Sequence, residues 1–383
     1  MRTMHFVRHF RQFGPVDIAY TFGPAEPPPI GPLVRSALEL SLEESDRFGR
    51  RLIIGMVAGG PTPVYRYDRA SRAAFAAKVA SERYDHVVLR SAYTSGLVAD
   101  LDDATRARTI LDLDDNVAGT LYDQLMAGEH GLRRFALELN RSLVRRHERR
   151  SAGAVTTTVC TEEDRSRLGR HSATPPFFVP NIYAPPAGGE GFDAGEGFAL
   201  GDRLLFVGTL SYAPNAQGLR WFLDTIFPSF RDARPGATLV VVGRSPSTEV
   251  QASCEATEGV TLIADAPDVL SHYARARAVV VPLLAGGGTR IKILEAAFAQ
   301  RPVLSTAIGA EGLGFNDGRE LLLFEDAAGF VRSYDALGDD PTYRGLVSAA
   351  KAQCVTKYSV RGFNEAVSAV TAHMESVTNN NAS

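Results

Sequence analysis

Cysteine, tryptophan and methionine are scarce in this chain: three, one and five in 383 residues. Cys160, Cys254 and Cys354 lie far apart with no paired spacing. Neither a disulfide framework nor a cysteine zinc site is expected, and the thiols read as reduced ones of a cytoplasmic protein. No apolar run approaches the ~20 residues of a membrane span. The N-terminus has no apolar stretch behind its charges, so no signal peptide is read there. Forty-one Lys and Arg against 44 Asp and Glu leave a net charge of −3, which supplies no global field for nucleic acid. There is no short-period repeat, no phosphate-loop spacing and no GxGxxG. His5, His9, His86, His130, His147 and His171 are scattered through the first half, with neither a metal-type cluster nor a Ser-His-Asp order.

The hydrophobic fraction is 45% and the charged fraction 22%, ordinary for a soluble globular protein, and the length suffices for two α/β domains. The most informative stretch is Val279–Thr306. Its β-branched opening reads as a buried parallel strand. Gly286, Gly287 and Gly288 follow, where the backbone can turn sharply and come close to a ligand. Thr289 is the expected cap of the next helix, with Arg290 and Lys292 in its first turn and Glu295 further in. Cations are disfavoured at a helix N-terminus, so two of them there point to a bound anion. Pro302 stops the helix, and 303–306 is the next strand.

The first half opens with an apparent helix over 1–13, a Gly14-Pro15 stop and a strand over 16–20. The spacing predicts a proline-rich loop over 22–32, strands over 51–57, 86–89 and 109–113, and a helix over 71–81. Arg90 and Tyr93 stand where strand ends gather ligands, with pairing to an acid as the other reading of Arg90. Asp112, Asp114, Asp115 and Asn116 read as carboxylates capping the next helix; Mg²⁺ binding is the alternative. A helix over 131–150 carries seven arginines and an apolar stripe of Leu132, Phe135, Leu139 and Leu143. Such a surface suits either solvent or anionic lipid. Strands over 154–160 and 177–179 precede a Gly- and Pro-rich linker over 183–201.

The second half repeats strand and loop. A strand over 204–207 runs into Gly208, Thr209 and Asn215, with Asn215 as expected cap of a helix over 216–224. Arg244 ends a strand over 238–242. A strand over 259–263 leads to a turn over 264–268. Glu311 sits in Gly309-Ala310-Glu311-Gly312-Leu313, and 321–324 is the last strand. Helices follow over 341–357 and 358–374, with a disordered tail expected over 379–383.

Between Pro180 and Phe324 this order of motifs resembles the family-four retaining glycosyltransferases. The resemblance implies a GT-B fold, α/β, with two Rossmann-like doubly wound domains facing a cleft. It implies an acceptor-side domain over 1–182, a nucleotide-sugar domain over 183–357, and a final helix over 358–383 returning to the first domain. In that family a strand and glycine loop precede a helix like the opening one, so a first strand is expected to be missing. Glu295 takes the place of the residue that holds ribose hydroxyls. Gly208, Thr209, Asn215, Gly287, Gly288, Thr289 and Glu311 fall in donor-binding positions. Many members have a first glutamate where this chain has Gly287, and an Arg and a Lys in the loop after Gly208. Neither is present, so Arg244, Arg290 and Lys292 are expected to stabilise the departing diphosphate.

What the resemblance implies is a metal-independent enzyme with no cofactor beyond its nucleotide-diphosphate-sugar donor. The acceptor would be a carbohydrate, a small molecule or a lipid-linked molecule. Together with the cysteine usage, the net charge and the basic helix over 131–150, the expectation is a cytoplasmic protein with peripheral membrane contact through that helix and no nucleic-acid partner. A sugar-nucleotide 2-epimerase and a non-catalytic nucleotide-sugar-binding protein are the competing readings.

Overall fold

The computed structural model describes residues 2–20, 33–42, 67–114, 130–170, 174–183 and 193–382. The strand and glycine turn expected over 51–61, the proline-rich loop over 22–32 and Asp115 and Asn116 lie outside them. The chain forms two compact units, Met1–Asn181 with Phe363–Ser383, and Ile182–Gly362.

The first unit has a parallel sheet in the order β3 (Val87–Arg90), β4 (Thr109–Leu113), β5 (Thr156–Val159), β6 (Phe177–Phe178). A separate parallel pair joins β1 (Asp17–Tyr20) to β2 (Ser36–Glu39). Every residue of β4 is buried, as a strand covered on both faces requires. Phe75 and Val79 of the helix Arg69–Glu82 pack with Leu89, Leu97, Leu111 and Val159 in one apolar core.

A buried cation ties the opening helix, Arg2–Arg11, to this sheet. Arg2 Nη2 and Nε donate to Asp112 at 2.6 and 2.8 Å. It also donates to Val179 O (2.9 Å), Pro180 O (2.9 Å) and Asn181 Oδ1 (3.1 Å). Thr158 Oγ1 donates to Asp112 Oδ1 at 2.7 Å. Of the acidic run, the described members are engaged elsewhere, Asp112 with Arg2 and Asp114 with Arg90, while the helix they were expected to cap lies outside the described residues. A carboxylate as buried as Asp112 needs such a partner, because a lone charge taken out of water is costly. Arg90, which also donates to Thr3 Oγ1 at 2.9 Å, thus follows the acid-paired reading.

The arginine-rich helix runs Gly131–Ala154. It buries Leu137, Asn140, Val144, Glu148 and Ser151, while Leu132, Phe135 and Leu139 face solvent. The apolar stripe read from the sequence thus has Leu132, Phe135 and Leu139 on the exposed side. The linker contains a short helix, Ala194–Ala199, capped by Asp193. The last helix runs Val360–Ala382, through the tail expected to be disordered. Its Phe363 packs edge-on against Phe6, ring centres 5.0 Å apart, and Asn364 Oδ1 contacts His9 Nδ1 at 3.0 Å.

The second unit is a six-stranded parallel sheet with strands β7 (Arg203–Thr209), β8 (Thr238–Arg244), β9 (Val260–Ala264), β10 (Ala278–Val281), β11 (Val303–Ser305) and β12 (Leu322–Leu323). Their spatial order is β12-β11-β10-β7-β8-β9. The chain builds outward from β7 through β8 to β9, then crosses to β7's other side. That reversal between β7 and β10 is where doubly wound sheets bind ligands, outside the strands' carboxyl ends. An aromatic core of Phe222, Phe227, Phe230, Phe330 and Tyr334 closes one face.

Candidate nucleotide pocket of the second unit

The carboxyl ends of β7 and β8 and the loop after β10 enclose a cavity of about 360 Å³. Gly208, Thr209, Asn215, Arg244, Gly287, Thr289, Arg290, Lys292 and Glu295 all line it, with Tyr212, Ala266 and Val269. Residues from four separate stretches of sequence therefore meet at the topological reversal.

Gly208 stands opposite Gly243 in the β7–β8 ladder. A Cβ there would fall 2.9 Å from Asn215 Nδ2 and 3.1 Å from Lys292 Nζ. Its bare backbone leaves room for those polar ends at the pocket floor. Gly286 and Gly288 have φ of +130° and +73°, which L side chains rarely adopt, so the loop's path depends on them. Two non-glycine residues share that left-handed region at the neighbouring strand ends, Ser245 (φ 49°) and Asp265 (φ 52°). Ser245 N donates to Asp265 Oδ1 at 3.1 Å. Backbone strain of this kind gathers at ligand sites, and it flanks Arg244 and Ala266.

Neither expected helix cap takes that role. The first helix begins earlier, at Ala213, with Tyr212 at its N-cap position. That frees the Asn215 amide to bridge the pocket floor: Nδ2 donates to Thr209 O at 2.9 Å, and Oδ1 accepts from Lys292 Nζ at 2.7 Å. The helix Ile291–Phe298 has Arg290, not Thr289, at its N-cap position, without a side-chain cap. Arg290 folds back onto its own loop, donating to Gly287 O, to Gly288 O at 2.8 Å and to Ile308 O at 3.2 Å. It is 6% exposed, so its charge reaches the cavity from behind the glycine backbone. Arg244 is exposed at the rim.

Lys292 is the cation on the cavity floor. Its Nζ lies 4.9 Å from the centre of the Phe206 ring. Burial, and secondarily Arg290, push the amine down to about 7, against the pull of Glu295. Glu295 is partly buried, and burial raises its carboxyl above the usual range, opposed by Tyr273 and Lys292. The Tyr273 hydroxyl donates to Glu295 Oε2 at 2.8 Å. Tyr273 is fully buried, and no pattern in the sequence marks it out. Glu311 is exposed after the short helix Ala307–Ala310 and lies outside the cavity lining.

Residues 201–340 match the family model Glycosyl transferases group 1. The match spans the whole cavity. A curated relative from Klebsiella pneumoniae, described as an uncharacterized 44.6 kDa protein in the cps region, is 31% identical over 136 residues. That alignment covers 34% of this chain and 35% of the relative, so the chain matches about a third of that protein's length. Among solved structures, sucrose-phosphate synthase from Thermosynechococcus elongatus superposes with a TM-score of 0.64 at 15% identity, over 99% of this chain and 93% of that one. HepE from Anabaena, in complex with UDP and glucose, gives 0.59 at 11% identity, over 96% and 95%. The fold is that of the GT-B glycosyltransferases. An epimerase is not favoured by these likenesses.

Proposed function

We propose that the chain is a glycosyltransferase that takes a sugar from a nucleotide-diphosphate donor held in the second unit. One observation carries the reading. Within the stretch that matches the family model, a glycine-lined cavity at the sheet's reversal brings together Lys292, Arg244, Arg290 and Glu295. In this reading the diphosphate lies against Gly208 and the loop 286–289, and Glu295 accepts the ribose hydroxyls. As the sugar leaves, negative charge grows on the diphosphate. Lys292, Arg244 and backbone N–H groups stabilise it without reorganising. That chemistry needs neither a metal nor a protein nucleophile, and it suits transfer with retention at the anomeric carbon. HepE's bound UDP and glucose support a nucleotide sugar as the class of donor; the acceptor is a carbohydrate or a lipid-linked molecule.

Glu295→Ala should weaken binding of the preferred nucleoside diphosphate by about 10- to 100-fold, since hydrogen bonds to a charged group are worth about 1.5–3 kcal/mol. Calorimetry with UDP, GDP and ADP measures this. Unchanged affinity for all three would remove Glu295 from the site and undo the reading.

We also read the helix Gly131–Ala154 as a peripheral membrane contact. Leu132 and Phe135 are 88% and 66% exposed beside the exposed Arg133 and Arg134, the pairing of apolar anchors with basic groups that anionic bilayers favour. Among the described residues no helix is long and apolar enough to cross a membrane. Co-sedimentation with phosphatidylglycerol vesicles should exceed that with phosphatidylcholine vesicles and fall several-fold in a Leu132→Ser, Phe135→Ser double variant. Equal recovery with both lipids would discard the contact.

A further inference from the structure

We propose that Tyr273 is a positioning residue that holds Glu295 in the ionised, ribose-accepting state. This rests on the reading of Glu295 given above and extends it to a residue with no exposed surface.

The geometry is a buried relay. Arg301, 1% exposed, donates from Nε to Tyr273 O at 3.0 Å and from Nη2 to Ala274 O at 3.1 Å. Its Nη1 reaches Asp193 O at 2.9 Å. These bonds fix the end of the short helix Leu270–Ala274. From there the Tyr273 ring projects beneath the helix Ile291–Phe298. Its hydroxyl lies 2.8 Å from Glu295 Oε2 and 3.3 Å from Lys292 O. One carboxylate oxygen is thereby tied to the protein's interior, on a side chain that also lines the cavity.

Two consequences follow for ligand binding. A glutamate tethered at one oxygen has less rotamer freedom to lose when ribose arrives. The second concerns charge. Two vicinal ribose hydroxyls both need an acceptor, and only the ionised carboxylate offers acceptor sites on both oxygens. Burial opposes ionisation of Glu295; the groups that favour it are the Tyr273 hydroxyl and Lys292, while Tyr183 also lies close. A donor to the charged form lowers an acid's pKa, and removing it lets burial prevail. Tyr273 itself, pushed well above its ordinary value by burial and then by Glu295, stays a neutral donor throughout the working range.

The test compares uridine diphosphate with 2′,3′-dideoxyuridine diphosphate by calorimetry from pH 5.5 to 8. The guanosine or adenosine pair replaces them if that nucleotide binds more tightly. Tyr273→Phe keeps the ring and removes the donor. It should weaken the ribonucleotide about 5- to 30-fold, most at the acid end, and leave the dideoxynucleotide within about twofold. Glu295→Gln should lose the same discrimination at every pH. Equal weakening of both ligands in Tyr273→Phe, or none, overturns the proposal, because a purely structural tyrosine would not separate them. Should Tyr273→Phe fold poorly, the unsubstituted protein still decides. Its preference for the ribonucleotide should stay level between pH 8 and 6.5, and a decline across that range overturns the proposal. If the unsubstituted protein binds both ligands equally, or Glu295→Gln changes nothing, then the ribose role of Glu295 is what fails.

Discussion

Replacing Lys292 by methionine is expected to move binding and stability in opposite directions. Nucleoside-diphosphate affinity should fall about 10- to 100-fold, the worth of a charge-assisted contact to phosphate. Thermal stability of the ligand-free chain should rise. Burial, and secondarily Arg290, favours the uncharged amine, and among the described residues no carboxylate accepts from it: its acceptor is the neutral Asn215 amide oxygen. With the folded value near 7 and the unfolded one near the ordinary ~10.4, the unfolded chain binds more protons between those limits. The stability cost of the ammonium is therefore complete below pH 7 and fades as pH rises toward 10. The melting difference between Lys292→Met and the parent should shrink along the same course.

Binding carries the same proton with the opposite sign. A diphosphate on the cavity floor favours the ammonium, so the parent should take up a proton on binding above pH 7 and lose affinity as pH climbs. The variant should do neither. Titration of the terminal phosphate is common to both proteins and cancels in the comparison. Calorimetry in buffers of different ionisation enthalpy reads the proton directly. An identical pH profile in parent and variant would show that Lys292 does not face the phosphates.

The second large effect is expected at Arg2. Arg2→Met strips Asp112, fully buried, of its cation. Breaking a buried ion pair from one side costs about 3–5 kcal/mol. Asp112→Asn in the same background should recover part of that loss by removing the stranded charge. Both residues belong to the first unit, so an early transition should appear in calorimetric scans while nucleotide binding in the second unit persists. A scan matching the parent's would mean that Asp112 finds another partner.

The second unit was the more legible half, and the physical reason is local. Continuous β-branched runs such as Val279–Val281 are buried on both faces, and their composition announces it. The glycine loop, Lys292 and Glu295 lie within ten residues of one another, so one stretch of sequence held the largest share of the cavity lining. What the sequence concealed depends on distant partners. Asn215 and Thr289 have cap-forming side chains, yet Lys292, 77 positions from Asn215, claims the Asn215 amide, and Arg290 takes the cap position in place of Thr289. Tyr273 looks like an ordinary core aromatic until the helix carrying Glu295 is laid over it. In the first unit, the helix expected over 131–150 is present as Gly131–Ala154, but the side it packs inward had no mark in the sequence. Asn140, Glu148 and Ser151 are buried there, and apolarity alone cannot foresee a polar inward side. Asp112 misled for the same reason, since its partner sits at the chain's second residue.

The second unit's two boundaries also meet: Tyr183 N donates to Tyr358 O at 3.1 Å. That unit is thus a stretch of chain inserted within the sequence of the first, with its two ends joined by this backbone hydrogen bond. Excised at those points, it would start and finish side by side, as small inserted domains do. The same point offers a place to join old ends and open new ones, so cutting there to excise or permute the unit severs no strand of its sheet.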